Sequence, residues 1–255
     1  MIFGRNRNVR HEQITLPEEL MEDRDRIAAG LMPAGDDTTG PFDVADRPDA
    51  QGYIDLGSLR VRATQGMKLR LDLEDKTQRV IAVTVSTGSS AVQLQAFAAP
   101  RRDGLWDDLR AEILDALGTT PGAVADEREG RFGTEVMSRV PASMPDGSPG
   151  WNVARFIGVD GPRWFVRGVI QGEAALHPED AEEIEDVFAD LVVVRGDEPV
   201  PPREMLPLRP PANAQPVRRR RPVEESAAET ADSAEAKAGE GPDLPERGPE
   251  ITEVR

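Results

Sequence analysis

Between Met67 and Leu73 the chain alternates apolar and charged residues without a fault: Met67-Lys68-Leu69-Arg70-Leu71-Asp72-Leu73. A period of two puts every second side chain on one face of an extended strand, so this stretch is stable only with one face on a core and the other in water. Leu59-Arg60-Val61-Arg62-Ala63 repeats the pattern, and Thr64-Gln65-Gly66 between them has turn composition. The two are expected to pair as a half-buried antiparallel hairpin.

Further strands are expected at Arg79–Ser86 and Ala91–Ala98, turning at Gly88, and at Val124–Glu129 and Thr134–Val140. Asn152–Val159 and Arg163–Ile170 are joined by Asp160-Gly161, a strong two-residue hairpin signal. Two helices interrupt the strands. The first starts near Asp103, a candidate cap, with Trp106, Leu109, Ile113 and Leu117 on one face and Gly118 at its end. The second runs from about Pro178 to Asp190, with Ile184, Val187, Phe188 and Leu191 as its apolar stripe. Short, hairpin-like connections point to an α+β fold: a single antiparallel sheet covered by two helices.

Composition sets the boundaries. The periodic apolar segments and all three tryptophans lie in residues 40–211, expected to form one globular domain. Residues 1–39 read as a polar, flexible arm with a short helical possibility around Leu16–Ile27. Pro199–Pro211 reads as an extended segment lying on the domain through Met205, Leu206 and Leu208. Residues 212–255, rich in Ala, Glu, Pro and Gly, read as a disordered tail. No apolar run approaches the ~20 residues of a membrane span, and no apolar stretch follows the charged start Met1–Arg7, so a soluble, cytoplasmic protein is expected.

The inventory for chemistry is thin. There is no cysteine, and the histidines are His11 and His177. That excludes thiol nucleophiles and Cys/His zinc sites, and leaves little for a histidine triad. His177 reads either as a general base or as a residue flanking a helix start. Glu179, Glu182, Glu183 and Asp186 have helical spacing, which fits oxygen ligands for a hard cation or a solvated helix face. Gly57-Ser58 and Gly88-Ser89-Ser90 read as turns. No phosphate loop, dinucleotide fingerprint or nucleophile elbow is present, so no catalytic residue, metal or cofactor is expected.

Binding is the better-supplied alternative. Arg60, Arg62, Lys68 and Arg70 would share the outer face of the expected hairpin, as a basic patch or as an ordinary solvent face. Arg218-Arg219-Arg220-Arg221 can hold phosphates from a flexible tether or pair with acidic residues of the same tail. The net charge of −16 opposes nucleic-acid binding except at such local patches. Trp106 and Trp164 fall on apolar faces and read as core. Trp151, beside the Pro/Gly loop 141–150, is the candidate contact residue.

Gly40-Pro41-Phe42-Asp43, Ile54-Asp55-Leu56-Gly57-Ser58-Leu59, Leu94–Pro100, Gly104-Leu105-Trp106, Ala154–Trp164 and Val194–Pro199 together resemble one actinobacterial family, the domain of unknown function 3710, over about residues 40–210. That resemblance implies no activity and no site residues. The order of elements is similar to the PsbP-like fold, whose members mostly bind other proteins. The expectation is a non-catalytic interaction or adaptor module with an unidentified protein partner. The rivals are a nucleic-acid-associated protein using the basic residues above, and a ligand-binding or hydrolytic enzyme with Arg155, Arg163 or Arg167 beside carboxylates in a pocket.

Overall fold

The computed structural model describes residues 9–15, 40–49, 51–144, 146–212 and 214–216. Alternation governs its strands. On β5 (Lys68–Glu74) Leu69, Leu71 and Leu73 are buried while Lys68, Arg70 and Glu74 point the other way. The same logic builds β6 (Val80–Thr87) and β7 (Ser90–Ala98), where Val92, Leu94, Ala96 and Ala98 face one core. It also builds β8 (Val124–Gly130), β9 (Gly133–Ser143), β10 (Pro149–Gly161) and β11 (Trp164–Gly172).

These strands form one antiparallel sheet with β1 (Val9–Thr15) and β13 (Gln215–Pro216), in the order β13-β1-β5-β6-β7-β11-β10-β9-β8. A second sheet lies apart from it, in the order β2-β12-β4-β3. Its strands are β2 (Phe42–Asp43), β3 (Tyr53–Asp55), β4 (Leu59–Arg62) and β12 (Val192–Val193), and β2 and β12 run parallel. The fold is α+β, as expected, but with two sheets where a single one was expected.

The expected hairpin is absent. β4 pairs with β3 and β12, whereas β5 pairs with β1 and β6, so the chain passes from one sheet to the other at Thr64–Gly66. Leu59 and Val61 meet Leu69 and Leu71 inside one core cluster. Two amphipathic strands joined by a short turn can bury their apolar faces side by side or face to face, and here they do the latter.

Val9–Thr15, assigned above to a flexible arm, is a strand of the main sheet. Ile14 enters the core, and His11 lies opposite Asp72. Gln215–Pro216, assigned to the tail, pairs with it. The remainder of the two arms, Leu16–Ile27 included, lies outside the described residues.

Helices cover both faces of the main sheet. Helix α1 (Trp106–Gly118) buries Trp106, Ile113 and Leu117 over Val136, Phe156 and Phe165. On the other face sit the four-residue α2 (Glu173–Leu176), a 3-10 turn at Pro178–Asp180 and α3 (Glu182–Ala189), which buries Ile184, Val187 and Phe188. The expected second helix is therefore broken at Ala181. Gly172, before α2, has φ +83° and lies against the carbonyl of Ser89, where a Cβ would sit 2.1 Å from that oxygen.

The segment after β12 closes the fold. The β6–β7 ladder begins only at the pair Val83↔Leu94, and the strap 203–208 fills the gap beyond it. The Leu206 N–H donates to the Ala96 carbonyl at 2.9 Å, and the Ala98 N–H donates to the Glu204 carbonyl at 2.8 Å. Leu206 is 1% exposed, so this extended segment is part of the core as well as lying on the domain.

Candidate binding surfaces

The β9–β10 hairpin outruns the sheet. Pairing of β10 with β11 starts at Ala154↔Gln171, while β10 stays on β9 back to Pro149↔Ser143. The overhang carries an alternating strand, so Trp151 and Val153 share one of its faces. Val124, Arg139 and Val153 form one row across β8, β9 and β10, and Trp151 lies opposite Pro141 in the next row. Together with Leu176 at the end of α2 they line a concavity of about 670 Å³.

Val124, Trp151 and Leu176 are 52%, 53% and 53% exposed, and they are the large apolar side chains exposed among the described residues. All three meet in this one groove. Arg139 is exposed and has no carboxylate within ion-pairing distance among the described residues. Trp151, singled out from the sequence, is thus on the surface, while Trp106 and Trp164 are buried. Val124 and Leu176 were not singled out, because only the register and the α2 turn bring them together with Trp151.

Two residues along β10 from Val153, on the same face, lies a buried ionic cluster. The Arg155 guanidinium, 2% exposed, donates to Glu135 Oε2 at 2.9 Å, Glu185 Oε1 at 2.5 Å and the Ala174 carbonyl at 3.1 Å. Arg128 pairs with the same Glu135. Burial works against the Arg155 charge, but hydrogen bonds and attraction from Glu135 and Glu185 outweigh it and hold the guanidinium pKa above its ordinary value. The cluster ties β9, β10 and α3 to α2, and so fixes the wall that carries Leu176. Arg155 is therefore enclosed in the interior.

The basic patch does not form. Arg60 and Arg62 belong to the second sheet, where Arg60 donates to the Pro48 carbonyl at 3.1 Å and Arg62 lies 5.7 Å from the Tyr53 ring. Lys68 and Arg70 belong to the main sheet, and Arg70 is bonded to Asp72 at 3.1 Å and Thr84 at 3.2 Å. Because β4 and β5 are not partners, the four residues share no face. Arg218, Arg219, Arg220 and Arg221 lie outside the described residues. His177 is exposed, 3.6 Å from Glu179 and 3.9 Å from Glu173. Glu179, Glu182, Glu183 and Asp186 are exposed, Asp186 pairing with Arg131 at 2.6 Å.

The face of the main sheet against which α1 packs carries a second polar arrangement. Asp72, 1% exposed, accepts from Gln93 Nε2 at 2.6 Å, Arg70 Nε at 3.1 Å and Thr84 Oγ1 at 3.3 Å, and lies 2.7 Å from His11 Nδ1. Next along this face is Arg167 on β11, opposite Gln95 on β7. Its Nη2 donates to Gln95 Oε1, and its Nε is buried with no acceptor. Burial pulls its pKa down to about 10. Sequence reading missed the His11–Asp72 pairing, because it took His11 for part of a mobile arm.

Comparison with known proteins gives a family and little else. A family model described as "Protein of unknown function (DUF3710)" matches residues 40–216, a span that holds the groove, Arg167 and the strap. No curated protein matches the chain. Among solved structures, a crystal structure from Bacteroides thetaiotaomicron VPI-5482 at 1.50 Å resolution is similar at 12% identity with a TM-score of 0.34. That match covers 59% of this chain and 52% of the other, about half its length.

Proposed function

The chain belongs to the family described as Protein of unknown function (DUF3710), and from its surface we propose that it is a non-catalytic, cytoplasmic protein-binding module. The partner it fits is an extended peptide segment carrying an apolar side chain for the groove and a carboxylate for Arg139. One observation carries the reading: Val124, Trp151 and Leu176, exposed on three separate elements, converge with Arg139 on one concavity of about 670 Å³. Apolar side chains clustered on an otherwise acidic surface mark a contact site, and Trp and Arg are among the residues enriched at the centre of one. The acidic edge strand β8, Asp126-Glu127-Arg128-Glu129, guards against indiscriminate strand pairing and leaves the groove as the selective element.

The test is selection of random extended peptides on the full-length protein, followed by binding measurements with Trp151→Ser and Arg139→Glu variants. Enriched peptides should pair an apolar residue with Asp or Glu. Each variant should lose binding at least tenfold while keeping the wild-type melting temperature. Because Trp106 and Trp164 are buried, acrylamide quenching of the fluorescence reports mainly Trp151 and should fall when peptide binds. No enrichment, or binding indifferent to both substitutions, overturns the reading.

A further inference from the structure

Arg167 differs from the other deeply placed arginine. Arg155 is matched by Glu135 and Glu185, whereas the described residues supply Arg167 with no carboxylate, only the neutral amide of Gln95. A desolvated cation without a counter-charge is costly, and such groups are ordinarily paired or shifted in pKa. Its surroundings are built to hold it in place all the same. Gln95 Nε2 donates to the Ile81 carbonyl at 2.8 Å and lies 3.9 Å from Met205 Sδ, which turns Oε1 toward the guanidinium. The Phe97 ring lies 5.7 Å from the guanidinium.

Acidic groups on the same face of the sheet and on α1 have partners of their own. Asp72 is surrounded by its own donors. On α1, Asp108 and Glu112 are held by Arg203 at 2.7 and 2.5 Å. The position is thus one preoriented cation beside an aromatic ring.

We propose that Arg167 anchors a carboxylate-binding site on the face of the main sheet against which α1 packs, with Gln95 fixing the guanidinium and Phe97 forming the apolar side. A planar guanidinium matches a planar carboxylate, and a single cation is balanced by a monoanion rather than by a phosphate dianion. The site is on the opposite face of the sheet from the Trp151 groove, because Phe165, Arg167 and Val169 alternate with Val166 and Ile170, and it stands or falls independently of that groove. The carboxylate can come from a small organic acid or from an Asp side chain of a peptide.

The experiment follows the Nε–Hε resonance of Arg167 in the full-length, ¹⁵N-labelled protein at constant ionic strength. Sodium acetate, a capped Gly-Asp-Gly peptide, phosphate and chloride are titrated separately. Acetate or the peptide should give a saturable shift, and the tighter of the two identifies the source. Phosphate and chloride should give none. Arg167→Gln should abolish the saturable response at the neighbouring Gln95 side-chain amide. Gln95→Leu, which keeps the cation, should weaken binding by about five- to tenfold, the worth of one hydrogen bond. A shift that is linear in concentration, equal for phosphate and acetate, or unchanged in Gln95→Leu overturns the proposal, whether or not Arg167→Gln folds.

Discussion

Asp160 caps Trp106 across fifty-four residues of sequence: its Oδ2 accepts the Trp106 backbone N–H at 3.1 Å, and its Oδ1 accepts that of Leu105 at 2.7 Å. The first N–H groups of a helix have no partner within it. Here a strand of the sheet supplies the acceptor, and the local candidate Asp103 does not. The contact is close, since a Cβ on Gly104 would lie 2.5 Å from Asp160 Oδ2.

Asp160→Ala should therefore lower stability by about 1–2 kcal/mol, with Asp160→Asn in between and Asp103→Ala near zero. Urea denaturation of the three variants measures this. An Asp103→Ala loss larger than that of Asp160→Ala would show that the cap is local after all.

Arg155→Met should be among the most damaging single substitutions, at about 3–5 kcal/mol, because it leaves buried Glu185 without its cation and Glu135 with Arg128 alone. Arg167→Met removes a cation with no carboxylate partner and should change stability by no more than about 1 kcal/mol. Equal losses in the two variants would contradict the difference in pairing. Adding Glu135→Gln and Glu185→Gln to Arg155→Met should restore part of the loss, since those substitutions remove the stranded charge.

The strap closes a gap in the sheet, so its apolar anchor should count as core. Leu206→Ala should cost about 2–5 kcal/mol. Met205→Ala, on the partly exposed side of the strap, should cost clearly less. Thermal unfolding ranks the two, and reversed order would mean that Met205, through Phe97 and Gln95, is the true anchor.

What the sequence made legible, and what it hid, divides along physical lines. Periodicity located β5, β7, β9 and α1 because burial of one face leaves a local record. Pairing leaves none: Leu59–Arg62 and Met67–Leu73 look the same whether they lie side by side or face each other across a core, so the basic patch built on the first option disappeared. Val9–Thr15 escaped notice because Ile14 is its one buried apolar side chain. The Asp160-Gly161 signal marked the right hairpin, but the ladder continues to Gly161↔Trp164 and the loop residues are Pro162 and Arg163, the latter at φ 64°. Trp151 was legible as exposed through its Pro/Gly neighbours. The groove around it was not, because it depends on Val124 and Leu176, which lie far away in sequence.

Asp190, just after α3, provides a pH test. Burial pushes its carboxyl above the ordinary value of 3.8, although Arg62 and Arg47 pull the other way. The folded state therefore holds this proton to higher pH than the unfolded chain does. The resulting stabilisation is fully present below the unfolded value and is lost as pH rises through the folded value. Asp190→Asn keeps an acceptor for Arg47, 3.5 Å away in the wild type, and cannot titrate. Relative to wild type, this variant should become progressively more stable as pH rises through that acidic window, then hold a constant difference. Denaturation midpoints at a series of pH values measure it. A variant that loses ground to wild type over the same window would mean that attraction to Arg47 and Arg62 outweighs the burial of the charge.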